Sequence, residues 1–244
     1  ELLVQKAEAS HADMVIAHYN RIEPPVSLPK TMRDTVVERV LDPILDPQHR
    51  VQTFGFLMEG PLNKDAFACG LMQEPASFYY GVMWNKLYRA EVWKLLHYPE
   101  GRLHEDDFVA HRLFWRCDKV VCVDKVLYHY RLRGGSICRT NTKPEAFDAV
   151  DGLADRYRFY VENGADRAVI DAAYAACWRR YLFLCAKVRQ NPTPQLVKAI
   201  SKEQFLMQGL ISYLPNCRQM KMTEKLSAAR WAMMSAESLC PIKK

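Results

Sequence analysis

Three successive carboxylates, Glu105-Asp106-Asp107, stand directly ahead of an apolar-periodic run that continues to Cys117. Acids suit the start of any helix because they complement the positive end of its dipole. One that points into a pocket can also take a proton from a bound hydroxyl. Helical geometry separates the three, since residues three, four and seven further on share a face with each. From Asp106 those positions are Val109, Ala110 and Leu113, an unbroken apolar line. Glu105 heads Phe108, Val109 and Arg112, and Asp107 heads Ala110, His111 and Phe114, so both lie on mixed faces. Asp106 is the acid aimed inward, with Glu105 beside it as the second catalytic candidate. At a helix N-terminus it is expected to stay ionised, as a general base must.

Two further groups carry chemistry. In Tyr128-His-Tyr-Arg-Leu-Arg133 strict alternation puts Tyr128, Tyr130 and Leu132 on one face and His129, Arg131 and Arg133 on the other. Arginines on a fixed strand can fork onto phosphate oxygens, and Gly134-Gly135-Ser136 would let backbone amides approach an anion. A solvated strand edge with a glycine turn has the same pattern, and alternation does not choose between them. Trp84-Asn85-Lys86 sets an indole face beside an amide and an amine, groups that accept sugar rings, although a buried Trp beside a surface Lys fits equally. His104, Glu105, Asp106 and His111 also permit a hydrolytic metal centre, because the two histidines fall seven residues apart on one helix face.

The elements that must position these groups read as a mixed α/β layer followed by helices. Residues 1–10 are helix-like and 13–20 strand-like, 23–29 form a Pro-rich connector, and 33–41 return to helical spacing. Extended structure is predicted over 80–88, helix over 90–96 and 105–117, and strand over 120–133. Beyond Gly134-Gly135, two long helices broken at Asn163-Gly164 fill 144–190, and 195–239 stays helical with an interruption near Pro215. The division predicted is an α/β region over 1–140 and a helical region over 141–244.

Composition bounds the rest. With 244 residues, 49% hydrophobic and 25% charged, the chain can bury a large core. Its 34 basic and 28 acidic residues leave a charge of +6 with no long Lys/Arg block, which favours anionic ligands without implying nucleic acid. Eight cysteines include no Cys-x-x-Cys pair and read as reduced cytoplasmic thiols. No apolar run of about 18 residues is present to span a bilayer. Arg218, Lys221, Lys225, Arg230 and Lys243-Lys244 give the last helices a basic flank near Trp231, so a non-catalytic module that binds a partner or a membrane surface is a rival reading.

Taken in order, Trp84-Asn-Lys-Leu-Tyr-Arg89, Pro99-Glu-Gly-Arg102, His104-Glu-Asp-Asp107 and Leu127-Tyr-His-Tyr-Arg-Leu-Arg-Gly-Gly-Ser-Ile137 resemble the acceptor side of bacterial family 2 glycosyltransferases of the GT-A fold. The resemblance covers roughly residues 1–140. It implies a partial GT-A-like mixed sheet with flanking helices, and inverting transfer of a sugar from a nucleotide diphosphate to a glycan or lipid-linked acceptor in surface polysaccharide or cell-wall assembly. By resemblance, Asp106 is the base and Arg131, Arg133 and His129 face the departing diphosphate. His129 is also a candidate for reaching the metal, and Trp84, Asn85 and Lys86 lie at the acceptor. The family holds a divalent metal with an Asp-x-Asp motif in its donor-binding half, and this sequence contains none. The expectation is a portion of a longer enzyme, idle alone, with Mg or Mn bound only in the full-length protein. It would work in the cytoplasm or at the inner face of the membrane, where peripheral membrane contact and homo-oligomerisation both stay open.

Overall fold

The computed structural model describes residues 1–22, 64–72, 76–131 and 143–242. The connector over 23–29, the helix over 33–41, and Leu132 to Ser136 with Arg133 lie outside the described residues. A three-stranded sheet runs in the order β2-β1-β3, formed by β1 (Met14–Ile22), β2 (Lys86–Tyr88) and β3 (Val120–Arg131). β1 is central, antiparallel to β2 and parallel to β3. Burial on both faces explains why Met14-Val-Ile-Ala17 is an uninterrupted apolar run. Met14 and Ile16 share one core with Val120 and Cys122, while Val15 packs with Val121 and Val123 on the other face.

Helix α1 (Leu2–Ser10) covers the Val15 face with Leu2, Leu3 and Ala7. The opposite face receives α2 (Lys64–Gly70), α3 (Ala76–Gly81) and α4 (Glu105–Trp115). The extended stretch predicted over 80–88 is therefore corrected to a helix that ends at Gly81 and a strand of three residues. Tyr79 and Tyr80 look strand-like in sequence, but both are buried in one core with Phe67 and Phe114 rather than alternating across a sheet. The helix predicted over 90–96 is a single 3-10 turn, Ala90–Trp93.

The C-terminal region is helical: α5 (Asp148–Glu162), α6 (Arg167–Gln190), α7 (Pro194–Gly209), α8 (Met222–Met233) and α9 (Ala236–Leu239). Gly164 adopts φ 63°, the left-handed conformation that reverses the chain between α5 and α6. Trp178, Tyr174, Tyr181 and Leu184 of α6 are wholly buried in the core of this region. Among the described residues no helix is long and apolar enough to cross a membrane.

Helix α5 docks directly on α4. Arg112 donates twice to the Asp155 carboxylate, at 2.8 and 2.7 Å, and Arg102 bridges Asp148 and Asp151 at 2.6 and 2.7 Å. At Gly152 the helices come so close that a Cβ would lie 3.0 Å from the Asp107 Cβ and 3.2 Å from the Phe108 ring. Gly152→Val is expected to lower stability by about 1–3 kcal/mol through overpacking, measured as the shift in urea midpoint at constant slope. An unchanged midpoint would show that the contact yields freely.

His111 is wholly buried in this interface, 5.0 Å from the Phe159 ring and 6.1 Å from the Tyr160 ring, measured between ring centroids. Its Nε2 lies 3.3 Å from Asp155 but off the hydrogen-bonding direction. Burial pulls its pKa down to about 4, with Asp155 opposing. A histidine depressed on folding contributes stability that is present above its unfolded value near 6.5 and is lost as pH falls toward 4. That loss reaches up to about 3 kcal/mol. Urea titrations of the unsubstituted chain and of His111→Phe across this window should therefore diverge on acidification, and parallel curves would contradict the assignment.

Candidate active site

The three acids at the start of α4 have separate fates. Glu105 is exposed. Asp107 turns toward α5 and is held at 2.9 Å by the buried guanidinium of Arg156. Asp106 turns to the sheet side, where its charge is felt by Lys86, Tyr88 and Tyr98. The inward direction expected for Asp106 holds, and the line behind it, Val109, Ala110 and Leu113, is buried. Its expected charge state is corrected. Burial, followed by the neighbouring Asp107 and Glu105 charges, pushes the Asp106 carboxyl up to about 7, against opposition from Arg156 and one backbone amide. Desolvation and like-charge repulsion outweigh the helix terminus. The residue before the acids, His104, takes the left-handed conformation with φ 57°, an unusual one for a side chain with a Cβ.

Trp84 and Asn85 lie in the turn ahead of β2, and Lys86 opens the strand. Asn85 is buried; its amide donates to Ala17 O at 3.1 Å, and its Oδ1 accepts from Lys86 Nζ at 2.7 Å. Lys86 Nζ also donates to Tyr79 O at 3.0 Å and to Val82 O. Three protein acceptors take up its three donors, and burial pulls the amine down to about 7, with Asp106 opposing. Both residues, expected at the acceptor, thus commit their polar atoms to the protein frame. Trp84 is partly buried, stacked on Tyr130 (5.1 Å, 7°) and Tyr128 (4.3 Å, 25°), with its edge against Tyr19 at 4.8 Å. The alternation expected for β3 is seen in this stacking, since Tyr128 and Tyr130 meet the same indole.

His129 is exposed on β3. The side chain of Arg131 and all of Arg133 lie outside the described residues. Among the described residues no three His, Cys, Asp or Glu side chains gather as a cation site. In particular His104, Asp106 and His111 are not brought together, because His111 is spent inside the α4–α5 interface.

Sequence reasoning missed a buried polar group beside Tyr79. His18 places Nε2 3.1 Å from Asp124 and Nδ1 3.3 Å from the Tyr79 hydroxyl, which itself donates to Ala17 O at 2.8 Å. Burial lowers the His18 pKa, with Asp124 opposing. The register of β1 against β3 shifts on both sides of His18, as a bulge does when it re-aims a side chain. The available signal was the imidazole directly after the apolar run 14–17. Tyr98 was also missed; its phenol lies near Asp106 but belongs to an irregular stretch without periodicity. A groove of about 850 Å³ among the described residues is bordered by Asp13, Arg89, Glu91 and Arg116 and does not include Asp106.

No family model matches the chain. It is similar to two curated proteins of Streptococcus pneumoniae serotype 4. One is the glycosyltransferase GlyA, 33% identical over 92 residues, which are 38% of this chain and 13% of GlyA. The other is the glycosyltransferase GlyG, 30% identical over 97 residues, which are 39% of this chain and 32% of GlyG. The chain thus spans a third or less of the curated relatives it matches.

Proposed function

We propose that this chain is the acceptor-side portion of an inverting, family 2, GT-A-type glycosyltransferase that moves a sugar from a nucleotide diphosphate to a hydroxyl of a glycan or lipid-linked acceptor. Surface polysaccharide or cell-wall glycan assembly on the cytoplasmic side of the membrane is the setting. The observation that carries the reading is Asp106: an inward carboxylate at a helix start, lifted by burial to the pH range in which a base must work. The similarity to two glycosyltransferases supports it.

In this reading Asp106 takes the acceptor proton as the hydroxyl oxygen attacks the anomeric carbon. The bond from that carbon to the diphosphate oxygen breaks on the opposite face, which inverts the centre. Trp84, braced by Tyr128 and Tyr130, forms an aromatic wall beside the acceptor. Lys86 and Asn85 act as positioning residues that tie β2 to α3 and to β1 behind it. Arg131, Arg133 and His129 are proposed to face the diphosphate. Among the described residues no side chains gather to hold the divalent metal that such an enzyme would use. Its ligands are proposed to belong to a donor-binding part of the enzyme, consistent with the lack of Asp-x-Asp in this sequence.

The test is acceptor-dependent release of nucleotide diphosphate by the full enzyme across a panel of donor sugars. Absence of release with every donor and acceptor tested would refute the assignment. In that assay Trp84→Ala is expected to raise the acceptor KM about tenfold, the loss of roughly 1.4 kcal/mol of aromatic contact. An unchanged acceptor KM would remove Trp84 from the acceptor site.

A further inference from the structure

The charge surplus is unevenly placed. From residue 195 to the end the sequence has eight Lys and Arg against three acids, so this last fifth of the chain holds five of its six surplus positive charges. Two of those acids are already answered. Glu224 is held by Arg179 at 2.7 Å and accepts from the Lys221 backbone amide, while Glu203 is buried against Lys202 at 2.9 Å.

Helix α8 sits within this basic region and has two opposed apolar faces. Ala228, Trp231 and Ala232 are buried against the other helices. On the far side Met222, Leu226 and Met233 stand 69%, 65% and 84% exposed. Their spacing of four and seven residues aligns them in one stripe. Gln204 and Gln208 of α7 donate to carbonyls at the end of α8, Trp231 and Ala232, and to that of Met234 just beyond it. Phe205, which lies between them in sequence, is 82% exposed. Lys221 and Arg230 are exposed along the flanks, and Arg218 is exposed on the approach to the helix. A monomer in water gains nothing by presenting four large apolar side chains inside a cationic rim. An interface with an apolar interior and an anionic surface matches both features.

We propose that α8, with Phe205, lies in the plane of an anionic lipid bilayer. Met222, Leu226 and Met233 enter the acyl boundary, and Lys221, Arg230 and Arg218 contact the headgroups. The inference goes beyond the transferase reading and does not rest on it.

The test is flotation of the 244-residue chain with vesicles of phosphatidylcholine alone and of phosphatidylcholine mixed with phosphatidylglycerol. Partition onto the mixed vesicles is expected to exceed that onto neutral ones at least tenfold. It should weaken as salt rises from about 0.1 M to 1 M, because the screening length shrinks from about 10 Å to about 3 Å. Leu226→Glu and Lys221→Glu/Arg230→Glu should each lower partition about tenfold or more. These positions are exposed, so circular dichroism and melting should stay unchanged. Equal binding to both vesicle types, or no binding, overturns the proposal. So does a concentration-dependent dimer that Leu226→Glu dissolves in the absence of lipid, because α8 would then be a face between copies of the chain. Flotation reads lipid partition and not sugar transfer, so its failure leaves the transferase reading standing.

Discussion

Asp106→Asn in the full enzyme is expected to lower kcat by about a thousandfold, within the 10²–10⁴ range for loss of a positioned general base. The carboxamide keeps the shape of the carboxyl but cannot take the acceptor proton. Burial and the neighbouring acids raise the carboxyl to about 7, so the unsubstituted enzyme should gain activity as pH rises through that value. The residual rate of the variant should lose this limb. Stability moves in the opposite sense. A carboxyl raised on folding favours the protonated folded state, so its ionisation costs stability as pH climbs from the unfolded value past the folded one. Asp106→Asn should accordingly be more stable than the parent above neutral pH while being nearly inactive. Retention of full activity would remove Asp106 as the base even if the transferase assignment stood.

Asp107→Asn is expected to cost about 3–5 kcal/mol, because it leaves the Arg156 guanidinium buried without its carboxylate. Only 2% of the Arg156 side chain is exposed, against 27% for Asp107. Arg156→Met should therefore cost less, since the freed carboxylate can draw water to itself while the stranded guanidinium cannot. The double variant should recover 1 kcal/mol or more relative to the sum of the two, as expected for groups in direct contact. Urea unfolding of the four proteins gives the cycle, and strict additivity would deny the pair. The same cycle reads out at the active site. Arg156 opposes the upward push on Asp106, so losing its charge should move the activity limb to higher pH.

Much of this geometry is legible in the sequence because it follows from period alone. Counting three, four and seven from each acid separates Asp106 from its neighbours, and alternation pairs Tyr128 with Tyr130. The apolar run at 14–17 marks a strand covered on both sides. Where tertiary packing overrides local pattern, the sequence misleads. Ser77-Phe-Tyr-Tyr80 has strand-like composition but forms a helix, because its tyrosines are needed against α4. Trp84-Asn85-Lys86 looks like three binding groups, yet two of them face carbonyls that only the fold brings near. The charge state of Asp106 was misjudged for a related reason. A helix start is visible in sequence, and the desolvation that outweighs it is not. His18 and its bulge depend on register, which no periodicity encodes.

The first turn of α4 gives one residue to solvent, one to the sheet side and one to α5. Neighbouring positions thus serve catalysis and attachment, and this has a consequence for anyone recombining such enzymes. A chimera joined between β3 and α5 would cut the chain at an apparent boundary while exchanging the partner of Asp107. The imported tail would need an arginine at the place of Arg156, a glycine at the place of Gly152, and acids to receive Arg102 and Arg112. A graft that ignored them would arrive as a misfitted part and would detune the adjacent acid.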